Sequence, residues 1–192
     1  MCRLLFAHVC ILVTSSLAAA QPTTPLPKDV IDAWWAAGFR YTPASKAKPG
    51  DLPRFELGLW LGEEAFAGVP VPEQPFALTA GCGPNQARRK YDGMKGLARL
   101  KSLQSLSLYG SITCAEMATL SGLTNLQHLS VPFTSIADAG LKELEGLTEM
   151  RTLHLHRTKI TDAGLKHLAG MKKLHKLDLG RNELTGVGLK EL

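Results

Sequence analysis

Nowhere in the 192 residues is there a Gly-x-Ser-x-Gly elbow, a His-Glu-x-x-His pair or a glycine loop shaped to cradle phosphate. The common nucleophile, zinc-protease and nucleotide chemistries therefore lack their sequence signatures. Aromatic residues are scarce at 6%. The one compact basic run, Arg88-Arg89-Lys90, is not accompanied by a set of aromatic residues that could form a stacking platform for bases. It reads as a solvated loop rather than a nucleic-acid or lipid contact. Charge of one sign is also modest, with 22 Lys and Arg against 17 Asp and Glu, for a formal charge of +5. That mildly basic, scattered balance favours contact with anionic surfaces only weakly and leaves fold class open. Cysteine is limited to four residues.

What is present begins with a leader. Met1-Cys2-Arg3 is a short basic start, Leu4 to Leu17 is mostly apolar, and Ala18-Ala19-Ala20 supplies the small residues a signal peptidase needs before Gln21. Residues 1–20 are expected to be an export signal. The rival reading, a single membrane anchor, needs ~20 apolar residues, and this stretch is shorter. No later segment is long and apolar enough to span a bilayer. The expected location is therefore secreted or periplasmic, within the cell envelope. Signal removal leaves Cys82 and Cys114, which could bridge in an oxidising compartment or stand as separate thiols.

Residues 21–75 show no repeat. A Pro- and Thr-rich lead-in precedes an expected helix over 29–37, with Val30, Trp34 and Ala37 facing inward. A polar linker follows, then Phe55 to Leu61, which alternates like a strand. A proline-rich turn over 69–75 closes the segment.

From residue 76 onward the sequence repeats. Ile112, Ile136, Ile160 and Leu184 are 24 apart, as are Leu120, Leu144, Leu168 and Leu192. Comparing 136–159 with 160–183 gives 11 identities in 24 positions, far above chance. Within one unit, Leu129 and Val131 alternate as a half-buried strand requires. Thr134, Thr158 and Asn182 stand where a polar side chain can hold a turn. Thr161 or Asp162 can cap a short helix. Leu165 and Leu168 then face inward together, Gly170 is expected to end the helix in a left-handed conformation, and Met171 re-enters the core. One unit cannot bury its own apolar side, so several must stack into a continuous core.

The segments 136–147 (Ile-Ala-Asp-Ala-Gly-Leu-Lys-Glu-Leu-Glu-Gly-Leu) and 160–174 (Ile-Thr-Asp-Ala-Gly-Leu-Lys-His-Leu-Ala-Gly-Met-Lys-Lys-Leu) resemble the 24-residue leucine-rich repeats of planctomycete-type bacterial proteins. The resemblance covers 76–192. The segment before it, from Ala33-Trp34 to Phe76-Ala77-Leu78, resembles a leader that some members carry. The resemblance implies an α/β leucine-rich-repeat solenoid. In such an arc a parallel sheet lines the concave side, short helices lie on the convex side, and a small mixed segment precedes them. It implies a protein-binding scaffold with no catalytic residue and no cofactor.

In that architecture the binding face is the concave sheet, and its outward side chains form rows across the repeats. The expected rows are Ser105, His128, Thr152, Lys176; then Ser107, Ser130, His154, Asp178; then Tyr109, Pro132, His156, Gly180. Phe133, Arg157 and Arg181 lie at the edge. Aromatic and arginine side chains are enriched where interfaces carry energy. The candidate binding residues are thus Tyr109, His128, Phe133, His154, His156, Arg157, Lys176, Asp178 and Arg181, against the alternative of a hydrated surface with no partner. Three of these histidines and Asp178 could hold zinc only if they converged within ~2 Å of one ion. A polar surface that gains charge below about pH 6.5 is the simpler expectation, and no metal is assigned. His167 and His175 are expected in solvent.

A reactive thiol at Cys82, within Gly81-Cys82-Gly83-Pro84, would need partners the repeat geometry gives no reason to expect. No enzymatic activity is expected. The partner is expected to be a protein, with no nucleic acid and no membrane span. The chain stops in mid-unit at Leu192 without a polar cap. The second function expected is therefore self-association or assembly through an uncapped C-terminal edge.

Overall fold

The computed structural model describes residues 10–12, 25–44, 52–57, 66, 68–81 and 94–192. Most of the leader, Cys82 and the basic run at 88–90 lie outside the described residues.

The strands are β1 (Cys10–Leu12), β2 (Arg40–Thr42), β3 (Arg54–Leu57), β4 (Phe76–Gly81), β5 (Leu103–Tyr109), β6 (His128–Ser130), β7 (Thr152–His154) and β8 (Lys176–Asp178). They form one sheet in the order β1-β8-β7-β6-β5-β4-β3-β2. From β3 to β8 every pairing is parallel and every neighbour is next in sequence. This is the topology of a solenoid, in which each coil touches only the coil before and after it. β2 closes one edge antiparallel to β3, and β1 lies antiparallel to β8 at the other. The helices are α1 (Lys28–Ala36), α2 (Met94–Leu97), α3 (Cys114–Met117) and α4 (Asp138–Lys142), with 3-10 segments at Ala118–Leu120, Asp162–Leu168 and Val187–Glu191. No described helix is long and apolar enough to cross a membrane.

The 24-residue step converts directly into register. Leu129 pairs with Leu153 and Leu153 with Leu177, while Leu106 pairs with Leu129 across a coil that is one residue shorter. Ile112, Ile136 and Ile160 are fully buried beneath them, as are Leu120 and Leu144. Burying each such side chain is worth roughly 1.5–3 kcal/mol, so the stacked leucines dominate the stability of the array. Burial fades at the last coil, where Val187 and Leu192 are exposed.

The turns after the strands are held by side chains. The hydroxyl of Thr134 donates to the carbonyl of Val131 at 3.0 Å, and the Thr158 oxygen stands at the same distance from the Leu155 carbonyl. Asn182 goes further. Its Oδ1 accepts from the Thr158 hydroxyl at 2.6 Å and the Ile160 N–H at 3.1 Å. Its Nδ2 donates to the Leu155 and Leu179 carbonyls at 2.7 and 3.0 Å. The amide thereby uses all its polar capacity in locking two coils together.

On the helical side the Asp-Ala-Gly-Leu motif has a mechanical reason. The Asp138 carboxylate accepts the Thr161 N–H at 2.9 Å and the Thr161 hydroxyl at 2.7 Å, one coil further on. Asp162 repeats this on Thr185 and also takes the Gly188 N–H at 2.9 Å. The glycine of the next motif clears room for the aspartate: a Cβ at Gly164 would sit 2.2 Å from Asp138 Oδ1.

The N-terminal segment departs from expectation in part. Val30 and Trp34 are buried on α1, but Ala37 is its exposed C-cap. The strand starting near Phe55 is β3, and residues 58–61 lie outside the described set. Trp34 is the centre of an aromatic cluster, stacked on Phe55 at 4.3 Å between ring centroids and edge-on to Phe39, Phe66 and Phe76. Its indole N–H donates to the Pro70 carbonyl at 2.8 Å. This cluster covers the apolar edge of the first coil. Gly170 is a further correction, since it is absent from the positive-φ residues. The preceding segment ends instead in a 3-10 turn, with the Met171 N–H bonded to the Leu168 carbonyl at 2.9 Å.

The aspartate contact yields a coupled prediction. Asp138→Ala should cost about 1–2 kcal/mol through the lost hydrogen bonds. Gly164→Ala should cost about 1–3 kcal/mol through overpacking. The double variant should be more stable than the sum of the two losses, because the carboxylate that the new methyl meets is gone. Urea unfolding of the four proteins measures this, and strict additivity would refute the close approach as its cause.

Candidate interaction face

The register sets the outward residues in rows. Ser105 pairs with His128, His128 with Thr152, and Thr152 with Lys176; Ser107, Ser130, His154 and Asp178 form the neighbouring row. Backbone bonds from Phe133 N–H to the His156 carbonyl at 2.9 Å, and from Arg157 N–H to the Gly180 carbonyl at 2.8 Å, carry the alignment past the strand ends. Lys176, Arg157 and Arg181 are exposed; His128, His154, His156 and Asp178 are half-buried. Tyr109 is exposed on β5, two repeats away from Arg157.

Asp178 is the acidic member of these rows. Its Oδ1 accepts the Gly180 N–H at 2.9 Å and lies 3.7 Å from His156 Nδ1, while Oδ2 lies 3.7 Å from His154 Nδ1. Burial pushes the carboxyl up, yet the Gly180 N–H and the two imidazoles outweigh it and hold it below the usual carboxylate range. His128 is held below the usual histidine range by burial first, then by His175, Arg151 and His154. Among the described residues no group of three or more His, Cys, Asp or Glu side chains is placed to hold a metal ion. His167 is not free in solvent: its Nδ1 pairs with Glu145, 22 residues earlier. Cys114 carries a free thiol, whose sulfur accepts the Ala137 N–H at 3.3 Å.

The residues at the strand ends hold a feature the sequence pattern did not reveal. Phe133, Arg157 and Arg181 have φ of 60°, 54° and 57°, the left-handed region. They occupy the same place in three successive turns. An L-residue there costs about 1–2 kcal/mol relative to its ordinary conformation, and glycine escapes that cost. The corresponding place after β5 is indeed a glycine, Gly110, with φ of 144°. The three side chains gather at one rim. Phe133 meets His156 edge-on at 5.5 Å between ring centroids, and the Arg157 guanidinium carbon lies 5.7 Å from the Phe133 ring centre. Phe133 is 60% exposed, so much of its ring surface is open to solvent.

A family model described as "Leucine Rich repeat" matches residues 170–192. Together with the in-register coils, this decides the architecture. The fold is a leucine-rich-repeat solenoid. Among solved structures the solenoid is similar to internalin C2 from Listeria monocytogenes, at 27% identity and a TM-score of 0.49, covering 76% of this chain and 58% of that one. It is also similar to internalin F from the same organism, at 18% identity and a TM-score of 0.33, covering 60% of this chain and 45% of that one. The chain thus spans less than two thirds of either internalin structure. A search of curated proteins finds no match.

The electrostatics of the face give a pH prediction. His128 binds its proton less readily folded than unfolded, so the unfolded chain takes up more protons as the pH drops through about 6.5. That part of the stability is present at higher pH and is lost on acidification. Between neutral and mildly acidic buffer the Tm of wild type should therefore fall further than that of His128→Gln. Equal falls would show that the imidazole carries no such penalty.

Proposed function

We propose that this solenoid is a non-catalytic protein-binding scaffold acting outside the cytoplasm through the open, concave face of its sheet. The observation that carries the reading is the alignment of outward side chains into rows on one parallel sheet, ending in a rim where Phe133, His156 and Arg157 touch. Arginine and aromatic residues are the side chains that most often dominate protein interfaces. The rigid coils beneath hold them in place before a partner arrives, which lowers the ordering cost of association. Placement outside the cytoplasm rests on the leader read over residues 1–20. No step of chemistry is assigned to any residue.

The test is capture of a partner from the envelope fraction of the native cell with the mature chain as bait. A variant carrying His154→Ala, His156→Ala and Arg157→Ala should lose the partner while unfolding at an unchanged or nearly unchanged temperature. A control carrying Lys142→Ala and Lys166→Ala, both exposed on the helical side, should retain it. Loss in the control together with retention in the triple variant would place the interface on the other face and end this reading.

A further inference from the structure

We propose that the rim formed by Phe133, Arg157 and Arg181 is a recognition strip for an extended acidic peptide, with Phe133 seating an apolar side chain beside carboxylates held by the two arginines. This rests on the reading of the open sheet face as a protein-binding surface and specifies the chemistry of its partner.

Three observations support it. The first is backbone geometry. Three bulky side chains stand in consecutive turns at positions where the fold favours glycine, and the chain does use glycine at the equivalent Gly110. Left-handed strain at non-glycine residues often marks binding sites, and the side chains of these three are all exposed, with Phe133 touching Arg157 and His156 at the rim.

The second is charge. Neither Arg157 nor Arg181 forms an ion pair among the described residues, and the one acid of the sheet rows, Asp178, is already engaged by the Gly180 N–H, His154 and His156. Exposed Lys176 stands on the same sheet face in the row beyond Asp178, beside Thr152. The surface therefore offers uncompensated positive charge, and guanidinium groups match carboxylates with paired hydrogen bonds.

The third is spacing. Neighbouring repeats stand ~4.8 Å apart across a sheet, while alternate residues of an extended peptide on one face stand ~6.6 Å apart. Long arginine side chains bridge that difference, so one peptide crossing the repeats can meet both guanidinium groups and the Phe133 ring. The exposed part of that ring, which His156 meets edge-on, gives the apolar contact that a purely phosphate-binding strip would not need.

The experiment uses the full chain and a fluorescent synthetic peptide carrying one phenylalanine and two glutamates at alternate positions. A twin peptide has glutamines in place of the glutamates. Binding is followed by anisotropy. The glutamate peptide should bind about tenfold or more tightly than its twin, as expected for charge-assisted hydrogen bonds, and should weaken as salt is added. Arg157→Gly with Arg181→Gly should abolish that preference while leaving the Tm unchanged or higher, because glycine relaxes the left-handed turns. A structural role alone predicts the opposite change in Tm. Phe133→Ala should weaken both peptides.

Equal affinity for the two peptides would overturn the proposal, as would a preference that survives the glycine substitutions. Tighter binding of phosphatidylglycerol vesicles or single-stranded oligonucleotide, abolished by the same two substitutions, would overturn it in favour of a phosphate ligand. In each of these cases the scaffold reading stands or falls separately, on whether the triple alanine variant loses the captured partner.

Discussion

A single coil of this chain cannot bury its own leucines, and everything else in the structure follows from that constraint. Leu129 is covered by Leu106 on one side and Leu153 on the other, and Leu153 in turn by Leu177. The hydrophobic gain is shared between neighbours, so it depends on spacing more than on any one residue. A step of 24 residues returns each leucine to the same height in the stack. Once that register is set, the polar positions have no freedom either: they fall outward on the sheet face or reach sideways into the adjoining coil.

The sideways contacts divide into two seams. On the sheet-end seam, Thr134 and Asn182 satisfy carbonyls that the turning backbone would otherwise leave without partners. On the helical seam, Asp138 and Asp162 receive N–H and O–H groups from the following unit. Neither seam is a large source of stability compared with the leucines. Their effect is on precision, because a directional bond at each seam fixes how one coil sits on the next and therefore where the outward side chains stand.

The stacked core and the rows across the sheet were legible in the sequence because both obey a period, and a period is visible without coordinates. Leu129, Leu153 and Leu177 are an instance: their alignment needs only the 24-residue step and the alternation of a strand. The aromatic cluster around Trp34 was not legible beyond the inward place of Trp34 itself, since Phe39, Phe55, Phe66 and Phe76 share no spacing and meet only through the path of the chain. The pairing of His167 with Glu145 was missed for a related reason. It joins two coils through side chains that differ from repeat to repeat. Backbone conformation was the least accessible of all. Glycine suggested a left-handed turn at Gly170, where there is none, while Phe133, Arg157 and Arg181 adopt that conformation with side chains that give no hint of it. The turn is imposed by the coil geometry and its hydrogen bonds, and the residue type records a different pressure.

The aspartate bridges carry a consequence for how such a chain can change length. Asp138 reaches forward one coil and no further, and Asp162 makes the same reach from the same place. The 160–183 module carries Thr161 and Asp162 near its start, and Thr185 stands at the matching place in the segment that follows. Excising or copying that module in frame again sets an aspartate against a threonine one coil further on, so the array can lose or gain it while this bridge keeps its bonds.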